Sequence, residues 1–238
     1  MARLDAMNPQ LALAVMAKRP QAGEVKTRLC PPLTPDEAAQ LALSFFLDKL
    51  DQVRRVPGVA RFLAFFPPDA EAFFRSQTGD AFSLLPQRGN DLGERLADLA
   101  ERLLGEGYPA VTIVGTDSPT LPDAVLQEAH GALAQDRADV VLGPTDDGGY
   151  YLIGLRRPIR DLFRDIAWST DAVLRQTVAK AEAAGLRTHI LPTWYDVDVA
   201  SDLRRLVCDL AHDRTSAPRT RAHLLGLSSL VRRGRGAE

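Results

Sequence analysis

Apolar runs alternate with helix-period stretches along most of the chain. Leu11 to Ala17, Arg61 to Phe66, Ala110 to Gly115, Asp139 to Gly143 and Arg187 to Leu191 read as strands. The runs "AVTIVG" and "DVVLG" have the near-continuous apolar character of strands covered on both faces. Between them lie helical patterns. "LTPDEAAQLALSFFLDKL" opens with a capping box, Thr34-x-x-Glu37, and has Pro35 at the first helical position. Ala38, Leu41, Ala42, Phe45 and Leu50 then share one helical face. Asp69 to Gln77, Leu92 to Leu104, Pro122 to Ala134, Thr170 to Ala184 and Ala200 to Leu210 follow, with Gly185 at a C-cap position. Strands alternating with helices predict an α/β fold, a mainly parallel central sheet with helices on both faces. No repeat, low-complexity block or linker interrupts this order before the C-terminal tail.

In such a fold, ligands sit outside the carboxyl ends of the strands. The polar and glycine-rich segments fall at those ends: "KRPQAGEVKTRL" after Ala17, "TDSPTLP" after Gly115 and "PTDDGG" after Gly143. The first crowds Lys18, Arg19, Lys26 and Arg28 into one crossover, with Gly23 allowing close backbone approach. Cations so placed suit a polyphosphate, although "GEVKT" lacks the second glycine of a P-loop. In "QRGNDLGERL", Gly89 and Gly93 flank a helix start that Asn90 or Asp91 could cap; an uncovered helix N-terminus takes an anion or a base edge. In "GTDSPTLP", Asp117 is placed either to hold a divalent metal or to make a turn before Pro119, and Ser118 lacks the setting of a nucleophile. In "WYDVDVASDL", Asp196 and Asp198 face one side of an extended segment. They repel each other unless a cation lies between them, and Asp198 or Ser201 could also cap the next helix.

Composition bounds this picture without changing it. The chain has 238 residues, 45% apolar and 25% charged, with a net charge of -2, which fits one large or two small globular domains and no general grip on nucleic acid. We expect one domain over 1–211 and a basic helix or tail over 212–238, where Arg214, Arg219, Arg221, Arg232, Arg233 and Arg235 outnumber Asp213 and Glu238. Cys30 and Cys208 form no disulfide framework, and His130, His189, His212 and His223 form no zinc spacing, so a reducing, cytoplasmic setting is expected. "LALAVMA" is too short to span a membrane and reads as a buried strand. No nucleic-acid or membrane partner is expected, and the oligomeric state stays open.

The stretches "GEVKTRL", "DLGERL", "GTDSPTLP", "VLGPTDDGGYYLIGL", "WST" and "YDVD" resemble the bacterial "transferase 1, rSAM/selenodomain-associated" family, also labelled arsenosugar-type glycosyltransferases. The likeness runs from Leu11 to about Leu210. The first loop is also similar to that of 2-phospholactate guanylyltransferase. The resemblance implies the nucleotide-diphospho-sugar transferase superfamily and its Rossmann-like GT-A fold. It implies Mg²⁺ or Mn²⁺ at Asp117 and Asp198, with Asp196 beside them. It further implies a nucleotide or nucleotide-sugar donor on Lys18, Gly23, Lys26, Arg28, Gly89 and Gly93, and a small-molecule acceptor near Asp146, Asp147, Gly148, Gly149, Tyr150 and Tyr151. The sequence departs from that pattern in having a single acid at Asp117 instead of Asp-x-Asp, and a first loop sparser in glycine.

In "GPTDDGGYYLIG" the glycines let a substrate approach the backbone, and Asp146 or Asp147 offers acceptors or a base. Asp147 is the base candidate, with Lys26 the second catalytic candidate. A tight Asp-Gly turn is the simpler alternative. Two reactions fit: transfer of a sugar from an NDP-sugar, or nucleotidyl transfer releasing pyrophosphate, which the charge of Lys26 and Arg28 suits. A non-catalytic nucleotide sensor is the reading from another class, and the four acids Asp117, Asp147, Asp196 and Asp198 speak against it.

Overall fold

A computed structural model describes residues 10–227. The arginines at 232, 233 and 235 and Glu238 lie outside the described residues. The strands are β1 (Leu11–Lys18), β2 (Val59–Phe66), β3 (Ser83–Pro86), β4 (Val111–Val114), β5 (Val140–Pro144), β6 (Tyr150–Leu155) and β7 (Thr188–Ile190). They form one sheet in the order β3-β2-β1-β4-β6-β5-β7. Every pairing is parallel except those of β6, which runs antiparallel to both β4 and β5. The helices are α1 (Pro35–Arg54), α2 (Glu71–Thr78), α3 (Leu92–Gly105), α4 (Asp123–Ala134), α5 (Val173–Ala183), α6 (Ala200–His212) and α7 (Pro218–Gly226).

Alternation along β1 explains the layers. Leu11, Leu13, Val15 and Ala17 pack with Phe46, Leu50 and Val53 of α1, Phe74 of α2 and the apolar face of α4. Ala12 and Ala14 point to the opposite face, where Leu96, Leu99 and Leu103 of α3 and Ala181 of α5 cover them. The small side chains at Ala12 and Ala14 leave room for those leucines. Helix α1 is buried on a second side as well. Leu41 and Phe45 meet Val197 and the Leu203, Leu206 and Leu210 stripe of α6. Helix α7, within the stretch expected as a tail, packs on this third layer through Leu224 and Leu227. Asp48 of α1 accepts the backbone N–H groups of Arg219 and Thr220 and so caps α7.

Two strands differ from the pattern. β3 is a short edge strand whose "SLLP" ends in proline, too brief to show a period. β6 follows β5 through the turn at 145–149 instead of through a helix, so the sheet is mixed. No helix among the described residues is long and apolar enough to cross a membrane.

The capping box at α1 is formed as predicted: Glu37 N–H donates to Thr34 Oγ1 at 3.3 Å, and Thr34 N–H donates to Glu37 Oε2 at 2.8 Å. Thr34→Ala is expected to destabilise the fold by about 1 kcal/mol. The check is the urea midpoint, which should fall with an unchanged slope.

Candidate active site

The carboxyl ends of β1, β2 and β4 and the start of β6 surround a cavity of about 550 Å³. Lys18, Glu24, Lys26, Gln87, Arg95, Asp117, Tyr150, Asp196 and Asp198 are on its wall. A larger cavity, about 920 Å³, lies between α1, the 119–123 stretch, α6 and the lead into α7, and holds none of the predicted site residues. The smaller cavity is the candidate site because the sheet edge delivers the acids and cations to it.

Lys26 is the centre of the cluster. Its Nζ lies 2.6 Å from Asp117 Oδ1 and 2.7 Å from Asp198 Oδ1. The Lys26 side chain is 7% exposed, while those of Asp117 and Asp198 are 44% and 40% exposed. The lysine enters from a left-handed backbone conformation, φ 50°, which costs a non-glycine residue about 1–2 kcal/mol. Buried Leu29, just beyond the turn, anchors that loop to the α1–α6 layer, and the ammonium also sits 5.8 Å from the centre of the Phe45 ring. Burial pulls the Lys26 ammonium toward neutrality, but the charges and hydrogen bonds of Asp117 and Asp198 outweigh it and raise its pKa above the usual lysine value.

The acids come from two loops. Asp117 follows β4, and its carbonyl accepts Val197 N–H at 2.9 Å, which ties the loops together. Val197 is fully buried against α1 and α6, so Asp196 and Asp198 on either side of it turn to the cavity, as their spacing predicts. The helix cap is neither Asp198 nor Ser201. Asp202 accepts the N–H groups of Asp198 and Val199 at 3.0 and 2.8 Å, which leaves the Asp198 carboxylate free for Lys26. Asp196 accepts from Ser118 Oγ at 2.5 Å. Burial, then the charge of Asp117, pushes the Asp196 carboxyl up to about 7, against the opposing pull of Ser118 and Lys26.

Beneath this loop Lys49 of α1 is 1% exposed. It donates to Gln52 Oε1 at 2.7 Å and to the Ser118 carbonyl at 3.2 Å. Burial draws its pKa down to about 8, with Asp196 the largest of the charges that oppose the shift. Its place in the middle of α1 gave no sequence signal beyond one charge on a helix.

The remaining predicted residues divide. Lys18 is on the wall and donates to the Glu24 carbonyl at 2.9 Å. Gly23 takes a positive φ of 77° beside it, with open space where a Cβ would be. Arg28 is exposed and does not line the cavity. Its place among the cations is taken by Arg95 of α3, which lies 4.3 Å over the Phe66 ring and which sequence reasoning missed. The α3 N-terminus is closed by its own side chains, because Glu94 N–H donates to Asp91 and Asn90 N–H donates to Glu94. Gly89 and Gly93 serve packing: a Cβ on Gly89 would stand 2.6 Å from Glu94, and one on Gly93 would stand 2.7 Å from Phe163 and Trp168.

The segment expected to hold the acceptor lies mostly away from this cavity. Asp146, Asp147, Gly148 and Gly149 do not line the cavity; of that set Tyr150 does, and Tyr151 with it. Asp146 pairs with Arg205 of α6 at 2.5 Å. Asp147 Oδ1 accepts from Thr145 Oγ1 at 2.6 Å and from Gly149 N–H at 3.1 Å, closing the turn. Gly148 has φ 87°, and its carbonyl accepts Leu174 N–H at 2.8 Å. A Cβ there would stand 2.3 Å from the Asp171 carbonyl oxygen.

The chain belongs to the family described as "Uncharacterized protein conserved in bacteria (DUF2064)", whose model matches residues 49–170. That span holds Asp117 and the 143–154 turn but neither Lys26 nor Asp198. No functionally curated protein matches the chain significantly. Among solved structures, it is similar to a proposed nucleotide-diphospho-sugar transferase from Desulfovibrio desulfuricans G20. That chain is 33% identical, with a TM-score of 0.86 over 93% of this chain and 96% of that one. CMP:2-keto-3-deoxy-manno-octonic acid synthetase, solved with CTP, shares 12% identity and a TM-score of 0.55 over 85% and 99% of the two chains. Rv0371c from Mycobacterium tuberculosis H37Rv, solved with manganese, shares 16% identity and a TM-score of 0.50 over 83% and 97%. The fold is that of the nucleotide-diphospho-sugar transferases.

Two outcomes follow from the geometry. Gly148→Ala must relieve both the positive φ and the contact with Asp171, so it is expected to lower stability by about 1–3 kcal/mol. A variant that melts like wild type would return Gly148 to the substrate. The second concerns pH. Asp196 binds its proton more tightly in the folded protein than at the ordinary carboxyl value of 3.8. The folded state therefore holds the extra proton between about pH 4 and pH 7, and this site's contribution to stability falls as pH rises through that window. Asp196→Asn removes the titration and keeps an acceptor for Ser118. Its melting temperature relative to wild type should climb between about pH 4 and pH 7; a flat difference would speak against the raised carboxyl.

Proposed function

We propose that this protein is a metal-dependent transferase that takes a nucleotide donor by its phosphates in the 550 Å³ cavity. One observation carries the reading: Lys18, Lys26 and Arg95 line the same cavity as Asp117 and Asp198 at the carboxyl edge of the sheet. Cations alone would suit any anion, and acids alone would suit any cation. Together they suit a polyphosphate that arrives with a divalent ion.

The donor chemistry of the acids fits such an ion. Carboxylate oxygens are the ligands that Mg²⁺ and Mn²⁺ prefer, and Asp117, Asp196 and Asp198 all line the cavity. Among the described residues no three His, Cys, Asp or Glu side chains are grouped to hold a metal ion, and Lys26 lies against Asp117 and Asp198. Asp117 and Asp198 would hold the metal, with Asp196 behind them. When bound, the ion would neutralise charge on the donor's phosphates and on the leaving diphosphate or pyrophosphate. The chain's own part is to orient the phosphates with Lys18 and Arg95 and to exclude water with Leu92 and Tyr150 at the wall.

We read the donor as an NDP-sugar and the product as a glycosylated small molecule. The 33% identical relative from Desulfovibrio, with its nucleotide-diphospho-sugar transferase description, supports that choice. So does the resemblance to the arsenosugar-type glycosyltransferases. Nucleotidyl transfer is the second reading. It is favoured by the three cations on the wall, which match the charge of a triphosphate, and by the likeness to a synthetase solved with CTP.

The two readings separate in one experiment. A thermal-shift panel of NDP-sugars and NTPs with Mn²⁺ should find ligands that raise the melting temperature, since ligands of the native state stabilise it by mass action. Sugar transfer predicts that NDP-sugars lead the panel and that pyrophosphate is never released. Pyrophosphate release from one NTP in a metabolite pool would establish nucleotidyl transfer instead. Asp117→Asn should abolish turnover in either case while still melting cooperatively, and turnover that survives it would sink the metal assignment.

A further inference from the structure

Lys26 stands where the proposed metal would stand. Its Nζ is within 2.7 Å of one oxygen of Asp117 and one of Asp198, and its side chain is almost fully covered. Lys18, by contrast, keeps a side chain 42% exposed and bonds only within its own loop, to Glu24. A hard divalent ion takes carboxylate oxygens at about 2.0–2.6 Å. On these acids it would lie within a few ångströms of the ammonium, and at such range two cations repel strongly in a partly buried site. The acids cannot serve both at full strength.

We propose that Lys26 is an exchangeable internal cation, which neutralises Asp117 and Asp198 in the empty site and leaves them when a divalent metal enters. Lysine suits this task. Its charge is compact, its four-carbon stem is flexible, and it needs no fixed fork of donors. The loop that carries it also suits the task, since Leu29 anchors the turn while Thr27 and Arg28, between it and Lys26, are exposed. The released ammonium has the donor's phosphates as its next partner within the same cavity, a step that rests on the function proposed above. Metal and nucleotide would then help each other to bind, each clearing or filling the place the other needs, and the coupling must be equal in both directions.

The test uses Mn²⁺ alone, titrated into the whole protein and followed by the loss of the free-ion electron spin resonance signal. Lys26→Met should bind Mn²⁺ more tightly than wild type by at least about 5-fold and up to about 150-fold, the usual span of such couplings. Lys26→Arg keeps a cation on the acids and should stay near wild type. Adding Asp117→Asn to Lys26→Met should erase the gain. Equal or weaker Mn²⁺ binding by a cooperatively melting Lys26→Met overturns the proposal. Should that variant fail to fold, wild type decides. Amine labelling read by mass spectrometry should show Lys26 several-fold more reactive with saturating Mn²⁺ than without, and unchanged protection overturns the exchange. A nucleotide arm keeps the two ideas apart. If no NTP or NDP-sugar binds any of the proteins, the transferase reading fails, while the Mn²⁺ and labelling results still decide the role of Lys26.

Discussion

Three carboxylates on two loops cannot converge on one cavity wall without positive charge between them, and most of the site can be traced to that constraint. Asp117, Asp196 and Asp198 answer it in different ways. Asp117 and Asp198 share the Lys26 ammonium. Asp196, deeper and farther from that charge, takes the short contact from Ser118 and holds its proton to about 7. Lys49 lies under the same loop as a second buried cation and grips it by the Ser118 carbonyl. A buried ammonium costs desolvation that only good geometry with its partners offsets. Its presence at the carboxyl edge of the sheet, where ligands of such folds sit, is what makes this cavity the candidate site.

The supporting backbone is arranged to keep those charges from being spent locally. An aspartate just before a helix ordinarily caps it, and Asp198 is so placed before α6. Asp202 reaches back from inside the helix to take those N–H groups instead. The Val197 N–H bond to the Asp117 carbonyl fixes the distance between the two loops. Lys26 sits in a left-handed turn that a side chain adopts only at a cost. Each of these features leaves a charged group facing the cavity when a cheaper local partner was available.

The alternation of apolar runs and helical periods was enough to read the layered sheet and most of its elements, because burial on two faces leaves an obvious pattern in β1, β2, β4 and β5. It was not enough for β3, which is an edge of four residues, or for the antiparallel sense of β6, which depends on a turn instead of a period. At the site, residues whose chemistry and position coincide were legible: Lys18, Lys26, Asp117, Asp196 and Asp198 all reach the cavity. Arg28 stays outside the cavity lining; spacing along an irregular loop does not tell which side chain turns outward. Arg95 and Lys49 were missed because a single cation on an amphipathic helix has the same pattern whether it meets water or a cluster of acids three-dimensionally distant in sequence.

The dense motif at 143–154 shows the other side of the same problem. The paired acids and glycines at 146–149 suggest chemistry, yet the contacts they make in the structure build and fasten a chain reversal. Gly143 has no Cβ because the Tyr151 ring occupies that space, and the ring is held there by its hydroxyl bond to the Pro192 carbonyl. Asp147 closes the turn, Gly148 lets the backbone press against Asp171, and Asp146 fastens the turn to α6 through Arg205. That reversal inserts β6 between β4 and β5. The Gly115 N–H bonds to the Tyr151 carbonyl, so the strand end that leads to Asp117 leans on the first residues of β6. Arg205 in turn lies on α6, the helix whose first turn receives the Asp198 loop through Asp202. The turn therefore reaches both acid loops without touching the cavity. A motif can be required for an active site by fixing the distance between its walls, and residue types alone do not distinguish that requirement from contact with substrate.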